Sequence, residues 1–191
     1  MPVEAELTAV VRDPDRVRAA LSERAEPEYS VYSDTYFDRP DHSMDHAGYE
    51  LRVRTITTGD RQRTVVTYKE PPADAASRSK PEYETAADDP PVMCKIFSAL
   101  GLVELIALEK HCENYRFTAD GRDMLATVVT IPELAGQTFI ELETMAEPHD
   151  LAEALRSVRA VLDDLGVTKD DAVERSYTDM VSAKRDSSPG T

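Results

Sequence analysis

The chain has 191 residues, enough for one domain with a sizeable core. Its 37 acidic residues against 22 basic ones give a formal charge of -15, a field that repels nucleic acid and anionic membranes. No apolar run approaches the roughly 18 residues of a membrane span, so a soluble, cytoplasmic protein that binds neither nucleic acid nor membrane is expected. Lysine is scarce beside arginine, and such acid-rich, lysine-poor surfaces suit a halophile's concentrated-salt cytosol, where ions screen self-repulsion. An ordinary acidic protein is the plainer alternative. Cys94 and Cys112 lie far apart, form no C-x-x-C and read as free buried thiols.

In chain order, PVEAELTAVV reads as a first strand ending near Val11. Arg12-Asp13-Pro14 opens a helix to about Ala25, with Asp as cap and Pro at the first helical position. Strands are predicted at Ser30–Phe37, Tyr49–Thr57, Thr64–Glu70 and Lys80–Ala86, with a polar loop over Pro71–Ser79. Asp89-Pro90 starts a second helix that Gly101 closes. Three more strands fit 104–118, 122–131 and 137–146, the first two joined by an Asp120-Gly121 hairpin turn. Leu151, Leu155, Val158, Leu162 and Leu165 stripe a long helix ending at Gly166. A shorter helix is expected over 171–183. The result is an α+β fold, a single domain over 1–183 with a disordered tail from 184 to 191.

Alternation along the strands puts charges of one sign side by side. Glu4 and Glu6 share a face, as do Arg52 and Arg54, Thr67 and Lys69, and Glu141 and Glu143. Lys80, Glu82 and Glu84 align, and so do Lys110, Cys112, Asn114 and Arg116. A wet outer face is the ordinary reading of such a pattern. Matched pairs such as E-x-E and R-x-R, however, do not suit cross-strand pairing, and the apolar stripes of the helices need the opposite strand faces for cover. An eight-stranded antiparallel barrel with helices outside and a charged lumen satisfies both. Clustered carboxylates there suit Mg²⁺ or Mn²⁺, and clustered Arg and Lys suit phosphate. No G-x-x-x-x-G-K or G-x-G-x-x-G loop exists, so side chains must hold any polyphosphate.

E-A-E at 4–6, D-T-Y-F-D at 34–38, L-R-V-R at 51–54 and T-Y-K at 67–69 follow one another in order. K-P-E-Y-E at 80–84, K-H-C-E-N-Y at 110–115, F-I-E-L-E at 139–143 and S-Y at 176–177 complete the series. In this order the chain resembles the CYTH superfamily, the triphosphate tunnel enzymes that include class IV adenylyl cyclases and thiamine triphosphatases. The resemblance spans roughly residues 2–182 and is closest to the cyclase-like branch. It implies an eight-stranded antiparallel tunnel, with Glu4, Glu6, Glu84, Glu141 and Glu143 on the metal side. Arg52, Arg54, Lys69, Lys80 and Lys110, with Arg116, would grip a nucleoside triphosphate or other polyphosphate. Glu4, Glu6, Lys69 and Lys110 are the candidate catalytic residues, and a homodimer is compatible with the family. Three positions depart from its pattern. Thr8 stands where E-x-E-x-K has lysine, Cys112 where K-x-R has arginine, and Thr130 where an aspartate is common; Arg116, on the face of Cys112, is a candidate substitute.

Other groupings read as structural. D-H-S-M-D-H at 41–46 is expected to be a solvated loop rather than a metal site. His111 falls opposite Lys110 on the outer face, and Cys112 has no neighbouring base to activate it. Met93 and Phe97 read as helix packing, Asp163-Asp164 as a solvated helix end, and Asp34 and Asp38 as strand-end residues within reach of metal or arginine. Three activities stay open: cyclisation of ATP to cyclic AMP and pyrophosphate, hydrolysis of inorganic or thiamine triphosphate, and polyphosphate binding without turnover.

Overall fold

A computed structural model describes residues 3–72, 79–173 and 175–187. The strands are β1 (Val3–Val10), β2 (Glu28–Asp38), β3 (Glu50–Thr58), β4 (Arg61–Lys69), β5 (Glu82–Ala87), β6 (Val103–Ala119), β7 (Arg122–Thr130) and β8 (Thr138–Ala146). Between and after them lie the helices α1 (Pro14–Ser22), α2 (Ser43–His46), α3 (Pro90–Ala99), α4 (Leu151–Asp164) and α5 (Tyr177–Ser187). Most of the polar loop expected at 71–79, and residues 188–191 of the expected tail, lie outside the described residues.

All eight strands form one antiparallel sheet in the order β1-β8-β7-β6-β2-β3-β4-β5. The sheet curls until its edges meet, so the expected barrel is present as a strongly curved sheet with a narrow seam. One bridge, Val3 to Pro81, closes it together with an ion pair from Lys69 to Glu4. Pro81 has no N–H to donate, so no ladder grows from that bridge. At the β6–β7 hairpin, Asp120 and Gly121 take φ of 52° and 70°, the left-handed pair that a tight two-residue turn needs.

Local chemistry sets the helix starts. The Asp13 carboxylate accepts from Arg16 N at 3.1 Å, and Asp89 accepts from Val92 N at 3.0 Å, each just ahead of a proline. The buried stripe of α4, Ala154, Val158, Val161 and Leu162, packs on the outer face of β1 and β8 with Leu21 of α1. On the same outer side, α3 covers Phe37 and Val53 with Phe97.

The fifth helix differs from the expectation that every helix lies outside. It packs on the lumen side of the sheet, where Val181 is fully buried among Cys112, Val129, Ile131 and Phe139. Phe139 shares strand parity with Glu141, and Cys112 with Lys110, so apolar residues occupy one end of the lumen and the helix caps them. The helix also runs to Ser187, past the expected end at 183. Arg185 donates to the Ala107 carbonyl at 2.7 Å and pairs with Glu133 at 2.8 Å, which fixes residues assigned from sequence to a disordered tail. A second difference is the D-H-S-M-D-H segment, which contains one helical turn rather than a plain loop. Asp38 holds it, accepting from the backbone of Met44 at 3.0 Å and of Asp45 at 2.9 Å. The only metal-like acid, His or Cys group among the described residues lies elsewhere, in the tunnel.

A charged tunnel as candidate active site

The remaining length of the lumen is a cavity of about 880 Å³ into which every strand except β2 and β7 sends charged side chains, β7 lining it with Leu125 and Thr127. Two-residue alternation supplies Glu4 and Glu6 from β1, Arg52 and Arg54 from β3, Lys69 from β4, Lys110 from β6, and Glu141 and Glu143 from β8. β2 contributes Tyr32 and Tyr36, with Asp34 buried between them.

On one wall, carboxylate oxygens of Glu4, Glu6 and Glu143 lie within 4.8 Å of one another. In register, Glu6 faces Glu143 directly across the β1–β8 ladder. Burial, then the neighbouring Glu141 and Glu4 carboxylates, push Glu6 up to about 7. Burial and the other three glutamates raise Glu143 well above the carboxylate range. Glu4 escapes this because Lys69 Nζ lies 2.7 Å from its Oε2, which outweighs its burial and holds its pKa down. The same ammonium is 2.7 Å from Glu82. Three close, hard oxygen donors of which two resist ionising fit a divalent cation.

The facing wall carries the cations. Arg54 donates to both oxygens of Asp34, at 2.6 and 2.7 Å, and Arg52 lies 3.9 Å from the same carboxylate. Asp34 is 1% exposed; burial alone would raise its pKa, but the two guanidiniums hold it well below the usual range. Tyr32 lies under Arg54 at 4.6 Å and beside Lys110 at 5.9 Å. Lys110 pairs with Glu141 at 3.0 Å, and Tyr177 of α5 sits 5.0 Å from its ammonium. Arg52 donates to Thr67 at 3.4 Å, yet its buried Nε has no hydrogen-bond partner among the described residues. A buried guanidinium N–H without a partner, on a side chain that lines the cavity, fits an anionic ligand.

A family description for the CYTH domain matches residues 3–177. The chain belongs to the CYTH domain family. CYTH proteins bind triphosphate substrates and are generally dependent on divalent metal. A Methanocaldococcus jannaschii protein, provisionally named an adenylate cyclase, is 27% identical over 148 residues, 77% of this chain and 79% of that one. A Pyrococcus horikoshii protein of solved structure superposes with a TM-score of 0.83 at 25% identity, over 95% of this chain and 99% of the other. A Hippeastrum protein, provisionally an adenylyl cyclase and described as revealing a dominant triphosphatase activity, superposes at 0.65 with 15% identity over 96% of each chain. No helix among the described residues is long and apolar enough to cross a membrane.

Within this CYTH tunnel the residues named from sequence separate into groups. Glu4, Glu6 and Glu143 converge; Glu141 stands one step away, occupied by Lys110; Glu84 lies beyond, accepting from Thr67 at 3.3 Å. Lys80 lines the cavity, and Arg116 lines it at an exposed position. Thr8 donates to Glu6 at 3.0 Å, so the first strand offers a hydroxyl where the family pattern has an ammonium. Cys112 is buried beside Lys110 and burial pushes its thiol up to about 12, which keeps it protonated and unreactive. His111 is exposed and bonded to Glu109. Sequence reading passed over Tyr32, Tyr36, Arg63, Arg175 and Tyr177 as lining residues. Applying the alternation rule to SVYSDTYF would have grouped Tyr32 and Tyr36 with Asp34, Arg63 shares the parity of Thr67 and Lys69 on β4, and Tyr177 lies in the S-Y stretch; nothing local marks Arg175.

Proposed function

We propose that this CYTH protein is a cytoplasmic, metal-dependent enzyme that converts ATP to cyclic AMP and pyrophosphate, in the manner of the class IV adenylyl cyclases. One observation carries the reading: a three-carboxylate cluster and a wall of arginine and lysine share a single cavity large enough for a nucleotide. Glu4, Glu6 and Glu143 would hold Mg²⁺ or Mn²⁺, with Glu141 and Glu84 as outlying candidates. When bound, the ion neutralises charge on the phosphate oxygens. Arg52, Arg54 and Lys110 would grip the triphosphate. Lys69 and Lys80 extend that grip along the seam. The ribose 3′-hydroxyl attacks the α-phosphorus, pyrophosphate leaves, and the hydroxyl proton passes to solvent or a tunnel carboxylate. Because the cations are fixed before substrate arrives, positioning and electrostatics supply most of the rate.

The second reading is a triphosphatase, in which water attacks the terminal phosphorus of tripolyphosphate or thiamine triphosphate. The Hippeastrum relative's triphosphatase activity and the hydroxyl of Thr8 in place of an ammonium favour it. Purified protein incubated with ATP or tripolyphosphate and Mg²⁺ or Mn²⁺ separates the two. Cyclic AMP with pyrophosphate is the expected product; orthophosphate instead establishes the hydrolase, and binding without turnover refutes both.

A further inference from the structure

The two ends of the tunnel are chemically unlike. At one end the C-terminal segment closes the lumen: Ala172 bridges to Ala9, Val173 N donates to the Thr8 carbonyl, and α5 follows. The other end is bounded by the β3–β4 and β6–β7 hairpins. Glu28, at the start of β2, links these hairpins, facing Asn114 in register and pairing with Arg61 at 3.6 Å. Near this open mouth Arg63 stands opposite Ile56, and Arg116 opposite Leu125; all four line the cavity. Met145, 59% exposed, lines it too.

The pairing state of the cations distinguishes the mouth from the interior. Lys69, Lys110 and Arg54 are each ion-paired deep in the tunnel. Arg63 and Arg116 are neither ion-paired nor hydrogen-bonded through their guanidiniums among the described residues, although the chain carries 37 acids. Each stands beside an aliphatic side chain instead of a carboxylate. A guanidinium plane next to apolar surface is suited to lie on an aromatic ring, through cation–π attraction and stacking. A phosphate would instead be expected to collect converging cations with no aliphatic side chains among them.

We infer that Arg63 and Arg116, with Ile56, Leu125 and Met145, form the binding site for the planar aromatic group of an organic triphosphate. This rests on the triphosphate reading above. It assigns Arg116 to the organic end of the ligand instead of to the phosphates, and it makes the preferred substrate class a nucleotide over inorganic tripolyphosphate. The phosphates then extend inward from the mouth to Arg52, Arg54 and Lys110.

The test is calorimetric binding, with Mn²⁺ present, of uncleavable methylene-bridged analogues of ATP and of tripolyphosphate. Wild type is expected to bind the ATP analogue more tightly. Arg63→Gln and Arg116→Gln should each weaken that analogue about three- to ten-fold, while the tripolyphosphate analogue changes by less than about two-fold. Arg116→Lys, which keeps the charge but loses the plane, should behave like Arg116→Gln. Equal weakening of both analogues makes the two arginines phosphate ligands and overturns the assignment, as does no change in either. If wild type binds both analogues equally, the triphosphate grip stands and the aromatic site falls. If it binds neither, the triphosphate reading falls and takes this one with it.

Discussion

Asp34 shows how one side chain determines whether the phosphate-facing wall exists at all. Two guanidiniums two residues apart on β3 would repel each other and resist burial; one carboxylate with 1% exposure gives both a partner. It therefore fixes the plane of Arg54 and offsets the charge of Arg52 before any ligand arrives. Removing one member of a buried charge group leaves the others uncompensated, which costs about 3–5 kcal/mol. Asp34→Ala should lower the unfolding free energy by about that amount in urea titrations at pH 7. Asp34→Asn, which keeps the shape and one acceptor for Arg54 but loses the charge, should cost nearly as much. A loss less than half that of Asp34→Ala would mean that shape and hydrogen bonding, not charge, hold the arginines. The residue was legible only as a strand-end acid within reach of arginine. Its strand carries aromatic or branched side chains on both faces, Tyr32 and Tyr36 on one and Val31 and Phe37 on the other, so no polar face stands out.

At the scale of elements, what the sequence revealed follows the range of the forces involved. Strands and the helices α1, α3 and α4 could be placed within a few residues because period-two alternation, proline, Asp caps and the Asp120-Gly121 turn all act locally, whereas α5 starts six residues after its expected position at 171. Short α2 depends on Asp38, five residues before it, and could not be read from its own residues. The location of α5 depends on Arg185 reaching residues 52 and 78 positions away, so its lumen-side placement was hidden as well. The four matched pairs of like charge gave the tunnel interior because inward-facing strands cannot escape their parity. Its division into a carboxylate cluster, paired lysines and an apolar, helix-capped end depends on register between distant strands. The amphipathic α4 gives a clean check on packing. Leu162 is fully buried between α4 and the sheet, so Leu162→Ala should cost about 2–5 kcal/mol. Val92→Ala, on the outer side of α3 at 46% exposure, should stay within about 0.5 kcal/mol in the same thermal or urea series.

For the whole molecule, the charge of -15 sets a repulsive background, and the tunnel concentrates that repulsion at Glu6 and Glu143. The sign of the resulting pH dependence follows from linkage. Glu6 ionises near 4.5 in an unfolded chain and near 7 in the folded tunnel. Below pH 4.5 it is protonated in both states and costs nothing. Between these values the unfolded chain has released its proton while the folded one retains it, so stability falls as pH rises, and above pH 7 the loss stays constant. Glu4, Glu141 and Asp34 are shifted downward, so the stability they contribute is lost as pH falls below the ordinary carboxylate range, outside this window. Metal-free protein should therefore show a melting temperature that declines from pH 5 to pH 7 at constant ionic strength. Glu6→Gln should make that decline shallower, since the amide has no proton to lose, and the slope that stays belongs to Glu143 and Glu82, whose carboxyls are raised as well. Saturating Mn²⁺ should reverse it, because a divalent ion bound by ionised Glu4, Glu6 and Glu143 favours the deprotonated tunnel and binds more tightly as pH rises. A melting temperature that climbs from pH 5 to 7 without metal, or a Mn²⁺ effect that survives loss of the three glutamates, would show that this cluster is not where the molecule stores its charge.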